Sequence, residues 1–496
     1  MAPTSRVQAL PRGRWLDAWA LLLLLVVALG VRLAFADRAP PFVTNDSLSY
    51  LLPGWDLVHG LGFAPILKRP PLYSAFIAGT IATFGDELRT LMLVQHLLGA
   101  VGVLATFGIG RVIFGTSAGF VAGALTAVSG PLIITEHYLM SEALFSVLQL
   151  GALLAYLLGV RASRDRWFVA AGLLLGLAAL TRPIAQVTLL LLLAGLLLLL
   201  PRWRPVVRAG ALVAGLFALT VLPWMVRNQL VQGTFAIAGG SGEGLAVRTI
   251  RYEQTFDFRE PAGGAPDRQM ARARRIFREE AEEGSAFELA GRLRDELNVS
   301  EIQAERIMRS IALDAILRQP GYYLQGTADM FAKTFIGRPV RLRQDWLPWR
   351  NIRWDERVEH LVPAPTPTED GAFPTAEALA SIYDPARWWA LLAVLGFAGM
   401  AAAIAQQYRP ALILGAVVLA QLLACAALIG IEYRYRYPLD PLVHVLAAGG
   451  TVALVTIVRR RRHTPSPPLP DAGAGAVGTA PRAARGEGRA ARRRAG

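Results

Sequence analysis

The strongest constraint on this chain is a series of apolar runs bounded by arginines. They fall near residues 15–36, 88–110, 117–135, 143–160, 167–181, 183–200, 208–225, 388–405, 410–430 and 439–458. A helix needs about 20 apolar residues to cross a bilayer, and in lipid its backbone groups must be satisfied within the segment. With 54% hydrophobic residues over 496 positions and a mean hydropathy of +0.39, the chain is too apolar for an ordinary soluble protein. The pattern predicts an all-α polytopic membrane protein with about ten transmembrane helices.

With ten spans, Arg6, Arg12 and Arg14, then Arg111, Arg161, Arg164 and Arg166, fall on one side. Arg202, Arg204, Arg208, Arg409 and the run Arg459–Arg462 join them there. The positive-inside rule makes that side the cytoplasm, with both termini in it. Much of the net charge of +14 lies in these flanks and in the Arg-rich tail. It therefore reads as topology, and no nucleic-acid partner is expected. Cys425 is the only cysteine, which excludes an intrachain disulfide or a thiolate metal cluster. The first run has the outline of a cleavable signal, ending in Ala34-Phe35-Ala36. Arg32 interrupts the approach to that cleavage site, so an uncleaved first helix is favoured.

Four regions follow. Residues 1–230 form a transmembrane module with polar loops, 231–387 an extracytoplasmic segment, 388–460 C-terminal transmembrane helices, and 461–496 a disordered basic cytoplasmic tail suited to anionic lipid. The run 71–84 is too short to span and is expected as a helix at the outer interface. In the extracytoplasmic segment, Ser300 and Gln303 make a capping-box signature. Met308, Ile311, Ala312 and Ala315 make the apolar face of the helix it starts, and Pro363–Pro374 reads as a loop.

The polar groups gather on the outer side. The loop after the first span carries Asp46, then Lys68-Arg69-Pro70-Pro71 and Tyr73. Glu136, His137 and Glu142 lie in the second outer loop. Later ones hold Arg182, Arg227-Asn228 and the run Glu432-Tyr433-Arg434-Tyr435-Arg436-Tyr437-Pro438. A carboxylate such as Asp46 can act as a base toward an acceptor hydroxyl, or ligate a metal that does so indirectly. It can equally cap a loop helix. Glu142 opens a span, where a carboxylate also complements the helix dipole. A guanidinium fork suits the charge that grows on a phosphate leaving group, and each arginine can instead be an interface anchor. No HExxH or comparable spacing occurs, so a divalent metal is only weakly signalled.

The order of these pieces resembles the GT-C glycosyltransferases of the protein O-mannosyltransferase and aminoarabinose-transferase type. Asp46 and Tyr50 are followed by Gly60-Leu61-Gly62-Phe63 and Lys68-Arg69-Pro70-Pro71-Leu72-Tyr73. Then come Ser141-Glu142-Ala143-Leu144-Phe145, Leu180-Thr181-Arg182-Pro183 and Pro223-Trp224-Met225-Val226-Arg227-Asn228. Gln319-Pro320-Gly321-Tyr322-Tyr323 and the stretch Glu432 to Pro441 close the series. The resemblance implies transfer of a sugar from a polyprenyl-phosphate donor to a protein, lipid or glycan hydroxyl, with inversion at the anomeric carbon. It implies Asp46 and Glu142 as catalytic carboxylates. Arg69, Lys68, Arg182, Arg227, Arg434 and Arg436 would bind the donor phosphate. Tyr50, Tyr73, Glu136, His137, Asn228, Glu432 and Tyr433 would line the substrate cavity. Related transferases often have an acid where Lys68 stands. The reading makes no definite cofactor call, and a divalent metal stays open.

Two other classes are weighed against it. A transporter or flippase of lipid-linked saccharide would place charges or broken helices at the midplane, in two corresponding halves. No such repeat is visible. A non-catalytic membrane scaffold would explain Lys68 but leaves Asp46 and Glu142 beside so many arginines without a reason.

Overall fold

Apolar runs fold as helices here because a helix satisfies its own backbone, and the polar breaks between them supply the caps. The structure is a computed structural model that describes residues 14–39, 41–250, 256–259, 267–283, 288–336, 355–361, 385–405, 409–430 and 435–463. The chain runs through α1 (Arg14–Arg38), α2 (Asn45–Val58), α3 (Pro71–Phe84), α4 (Leu88–Phe114) and α5 (Thr116–Ala127). It continues through α6 (Gly130–Glu136), α7 (Glu142–Ala162), α8 (Asp165–Thr181), α9 (Ala185–Leu199) and α10 (Trp203–Gln232). Then follow α11 (Ser241–Ile250), α12 (Arg268–Glu283), α13 (Leu289–Leu297), α14 (Glu301–Arg318) and α15 (Pro320–Ile336). The last helices are α16 (Pro385–Ala405), α17 (Arg409–Leu428) and α18 (Asp440–His463). Two compact units result, Met1–Ala453 and Leu454–Gly496, and the candidate site lies wholly in the first.

The fold class is the all-α polytopic bundle expected, and every expected run is helical. A count of ten is not confirmed among the described residues. Six helices are long and apolar enough to cross a bilayer, α1, α4, α7, α10, α17 and α18, and α5 with α6 makes a seventh if taken as one bent span. The 56° bend between them falls at Ser129-Gly130-Pro131, where proline removes a helical N–H and crowds the preceding turn. Helices α8 and α9 have 17 and 15 residues, which is short for a straight span.

Ion pairs mark the two ends of the bundle. Arg89 meets Asp37 at 3.1 Å where α1 ends and α4 begins. At the opposite end Asp17 binds Arg111 and Thr116, and Asp165 binds Arg208. Arg409 donates to the Leu198 carbonyl at 2.9 Å. Between the ends, Tyr156, Leu175, Leu192, Val213, Leu414 and Leu442 belong to one apolar core drawn from α7, α8, α9, α10, α17 and α18. Small residues permit close approach: a Cβ on Gly176 would sit 2.6 Å from Thr220. Gln149, Thr188 and Gln421 bond one another across α7, α9 and α17 at 2.6–3.2 Å, a polar cluster inside the apolar bundle.

Helices α11 to α14 have a core of their own, including Leu245, Phe258, Ile276, Phe277, Leu289 and Leu293. The expected capping box is present. Gln303 N–H donates to Ser300 Oγ at 3.3 Å, and Ser300 N–H donates to Gln303 Oε1 at 2.9 Å. Met308, Ile311, Ala312 and Ala315 are buried in that core. The expected interface segment is the helix α3, packed on α2. Segment 355–361 packs there too, with Val358 fully buried. The loop Pro363–Pro374 and the tail beyond residue 463 lie outside the described residues.

Candidate functional site

Two arginines each stand directly before a proline. Arg69 precedes Pro70-Pro71, with Pro70 at the N-cap of α3 (φ −63°, ψ 157°). Arg182 ends α8 (φ −147°, ψ 123°) just before Pro183. A residue before proline is pushed out of the helical region into extended backbone. Arg182 therefore leaves α8 from an extended position, and Arg69 lies in the turn just before α3.

Each arginine meets a carboxylate. Arg69 Nη2 donates to Asp46 Oδ1 at 2.6 Å, its Nε to Ser49 Oγ at 2.9 Å and its Nη1 to Tyr50 Oη at 3.1 Å. The guanidinium also lies 4.6 Å from the Tyr50 ring centroid. Arg182 Nη1 lies 2.6 Å from Glu142 Oε1 and donates to Ser141 Oγ at 3.4 Å. Tyr435 lies beneath this second guanidinium at 5.2 Å. The two pairs are joined, because the Tyr50 and Ser141 hydroxyls are 3.3 Å apart. Asp46 is not the cap of α2. Thr44 holds that position, its N–H donating to Ser47 Oγ at 2.9 Å, which leaves the Asp46 carboxylate to Arg69.

Exposure separates the two carboxylates. The Asp46 side chain is 33% exposed, whereas that of Glu142 is 1% exposed. Glu142 also lines an internal cavity with Ser146, Thr126, Arg32 and Glu136. Tyr73 stands behind Tyr50, ring centroids 5.0 Å apart, and donates to Gln95 Oε1 at 2.7 Å. Burial, and after it the nearby Glu142 carboxylate, push the Tyr73 phenol well above its ordinary range. It stays a neutral donor.

Other expected residues lie apart from this network. Glu136 accepts from Arg32 at 2.7 and 2.8 Å and meets His96 Nδ1 at 3.1 Å. His96 Nε2 faces His137 Nδ1 at 3.0 Å, and His137 Nε2 reaches the Ala39 carbonyl at 3.1 Å. These four side chains are buried and form an internal polar lattice. Arg227 donates to Asn228 Oδ1 at 3.1 Å and covers Trp224. Asn228 donates to the Ala236 carbonyl at 2.9 Å, tying down the turn after α10. Lys68 pairs with Glu243 on α11 at 3.0 Å. Arg436 is fully buried, 3.3 Å from Asp440. Glu432, Tyr433 and Arg434 lie outside the described residues.

Sequence reasoning missed Ser49, Gln95, His96 and Glu243. Ser49 is three residues after Asp46, so helical spacing places both on one face. Gln95 and His96 are polar residues inside an apolar run, which is itself a signal. Glu243 had none. Among the described residues, no group of three or more His, Cys, Asp or Glu side chains is arranged to hold a metal ion.

Residues 68–226 match the family model of dolichyl-phosphate-mannose-protein mannosyltransferases. That stretch takes in Arg69, Tyr73, Glu142 and Arg182 and leaves out Asp46 and Arg227. No curated protein matches the chain by sequence. Among solved structures, the apo Archaeoglobus fulgidus oligosaccharyltransferase is similar at 14% identity and a TM-score of 0.49, over 91% of this chain and 51% of that one. ArnT from Cupriavidus metallidurans bound to undecaprenyl phosphate is similar at 16% identity and a TM-score of 0.38, over 93% of this chain and 82% of that one. The chain spans about half the length of the oligosaccharyltransferase. Over residues 68–226 it is similar to the dolichyl-phosphate-mannose-protein mannosyltransferases, and the resemblance to GT-C glycosyltransferases read from its motifs holds.

Proposed function

We propose that this membrane protein is a glycosyltransferase that moves a sugar from a polyprenyl-phosphate donor to an acceptor hydroxyl. The observation that carries the reading is the joined pair of carboxylate–guanidinium contacts, Asp46–Arg69 and Glu142–Arg182. The match to a family whose name specifies a lipid-phosphate sugar donor supports it.

In the proposed reaction the donor phosphate takes hydrogen bonds from Arg69 and Arg182, and Arg227 is a further proposed phosphate partner. That competition for Arg69 releases Asp46 toward the acceptor. Asp46 then accepts the hydroxyl proton as the acceptor oxygen bonds to the anomeric carbon. The bond from that carbon to the phosphate oxygen breaks on the opposite face, inverting the centre. Polyprenyl phosphate leaves with its new charge on the two guanidiniums. Glu142, buried at the end of α7, fixes Arg182 for this step.

The site end would face outward and the termini the cytoplasm. Support comes from Arg111, Arg208 and Arg409, which gather at the opposite end of the bundle. The division at residues 230, 387 and 460 is kept as part of the proposal. The independent core of α11–α14 supports a separate outer segment.

Mass spectrometry of envelope glycoconjugates tests the reading in cells with and without the protein. A sugar that disappears from one acceptor class on deletion, and returns with the wild-type chain, is expected. Unchanged glycoconjugates, with substrate accumulating in proteoliposomes that hold no acceptor, would replace transfer with transport.

A further inference from the structure

Lys68 sits next to Arg69 in sequence, yet its ammonium is turned to a different partner. Its Nζ lies 3.0 and 3.3 Å from the two Glu243 oxygens. One residue earlier, the Leu67 carbonyl accepts from Gly239 N–H at 2.8 Å. The strand of chain leading into α11 is thus stitched to the strand leading into α3.

The fit between them is close. A Cβ on Gly239 would run into the Leu67 side chain, and one on Gly240 would lie 3.1 Å from Lys68 Cβ. Gly240 also has φ +90°, a conformation other residues adopt only with strain. On the far side, Glu305 of α14 accepts from Gly242 N–H at 2.9 Å and Glu243 N–H at 3.3 Å. A Cβ on Gly242 would strike the Glu305 backbone. A continuous set of contacts therefore runs from α14 through the start of α11 to Lys68 and on to Arg69-Pro70.

We propose that Lys68 is a positioning residue, latched by Glu243, through which the α11–α14 segment fixes the place of Arg69. In this role it does not bind the donor phosphate. The assignment of Arg69 to the phosphate rests on the proposed function; the latch itself does not. Because the pair is partly exposed, with side chains 37% and 24% accessible, its effect is modest.

The test uses the full chain in nanodiscs, with the variants Lys68→Met, Glu243→Gln, Lys68→Arg and the swap Lys68→Glu/Glu243→Lys. Hydrogen exchange of residues 241–250 is read beside KM and kcat for a polyprenyl-phosphate sugar. K68M and E243Q are each expected to speed that exchange by about two- to five-fold, the range for a partly exposed ion pair. Both should raise the donor KM by a similar factor with kcat little changed. K68R and the swap should restore both readings. If K68M raises KM while E243Q leaves it alone, or if the swap restores exchange but not KM, Lys68 touches the phosphate and the proposal fails. If exchange does not move in either single variant, the latch is absent. Should the chain transfer no sugar at all, the exchange arm still decides the latch while the functional reading fails separately.

Discussion

The buried pair between Arg32 and Glu136 offers the most quantitative prediction about stability. Arg32 is wholly inaccessible and Glu136 is 5% exposed. Two hydrogen bonds of 2.7 and 2.8 Å join them, and Arg32 Nη1 donates again to the Ala127 carbonyl at 2.9 Å. Glu136→Met leaves the guanidinium buried with backbone carbonyls alone and strips His96 of an acceptor. Arg32→Met leaves the carboxylate with His96 only. Breaking such a pair from one side costs about 3–5 kcal/mol, because the other charge stays buried. Replacing both partners removes two desolvated charges together. The double variant is then expected within about 2 kcal/mol of the wild type, on either side. Equilibrium unfolding in mixed micelles, run as a double-mutant cycle, measures this. Single variants losing less than about 1 kcal/mol would mean that water reaches the pair, and the internal lattice described above would be wrong. A double variant as unstable as either single one would show that the loss came from packing. Gly99 offers an independent check, since a Cβ there would overlap the Glu136 carboxylate; Gly99→Ala should also destabilise.

Arginine replacements probe the donor site. A hydrogen bond to a charged group contributes about 1.5–3 kcal/mol, so Arg69→Ala and Arg182→Ala should each weaken undecaprenyl-phosphate binding by roughly ten-fold or more. Changes below about two-fold in a direct binding titration would remove these residues from the phosphate. The third expectation concerns pH. Side-chain and backbone hydrogen bonds from Arg357 hold Asp355 down to about 2, below the ordinary 3.8. A depressed carboxylate stabilises the fold above its unfolded value and loses that effect as pH falls through its folded one. Exchange protection at Val358 and Leu361 should therefore drop between about pH 4 and pH 2. Asp355→Asn should abolish that pH dependence, and an unchanged profile in the variant would contradict the assignment.

How far the sequence could be read is clearest from particular residues. Arg69 and Arg182 were legible as members of the ordered motif series, and the structure brings both into one network. The Ser300–Gln303 cap was legible because its pattern is local. Ion pairs between distant residues were not. Arg32 and Glu136 are separated by 104 positions, and only the packing of α1 against the bent α5–α6 pair brings them together. Glu136 and His137 are adjacent, and adjacent residues on a helix do not share a face. Yet each reaches one nitrogen of His96, because α6 ends at Glu136. The span count is not confirmed where apolar length and helix length diverge. The run 117–135 contains a proline that breaks it, and α8 and α9, with 17 and 15 residues, are short for straight spans. The pairing of Lys68 with Glu243 was not legible, because Glu243 lies in a segment whose docking no local pattern announces.

Sugar transfer by the Asp46→Asn variant tests the central claim most directly. Membranes with matched amounts of wild-type or variant protein would be given a radiolabelled polyprenyl-phosphate sugar and the acceptor fraction counted. Asparagine keeps the size of the side chain and can still accept from Arg69, but it cannot take up the acceptor proton. Loss of a general base is expected to slow transfer by about 10²-fold or more, with donor binding retained. Transfer at the wild-type rate would contradict Asp46 as the reacting carboxylate and, with it, the proposed mechanism.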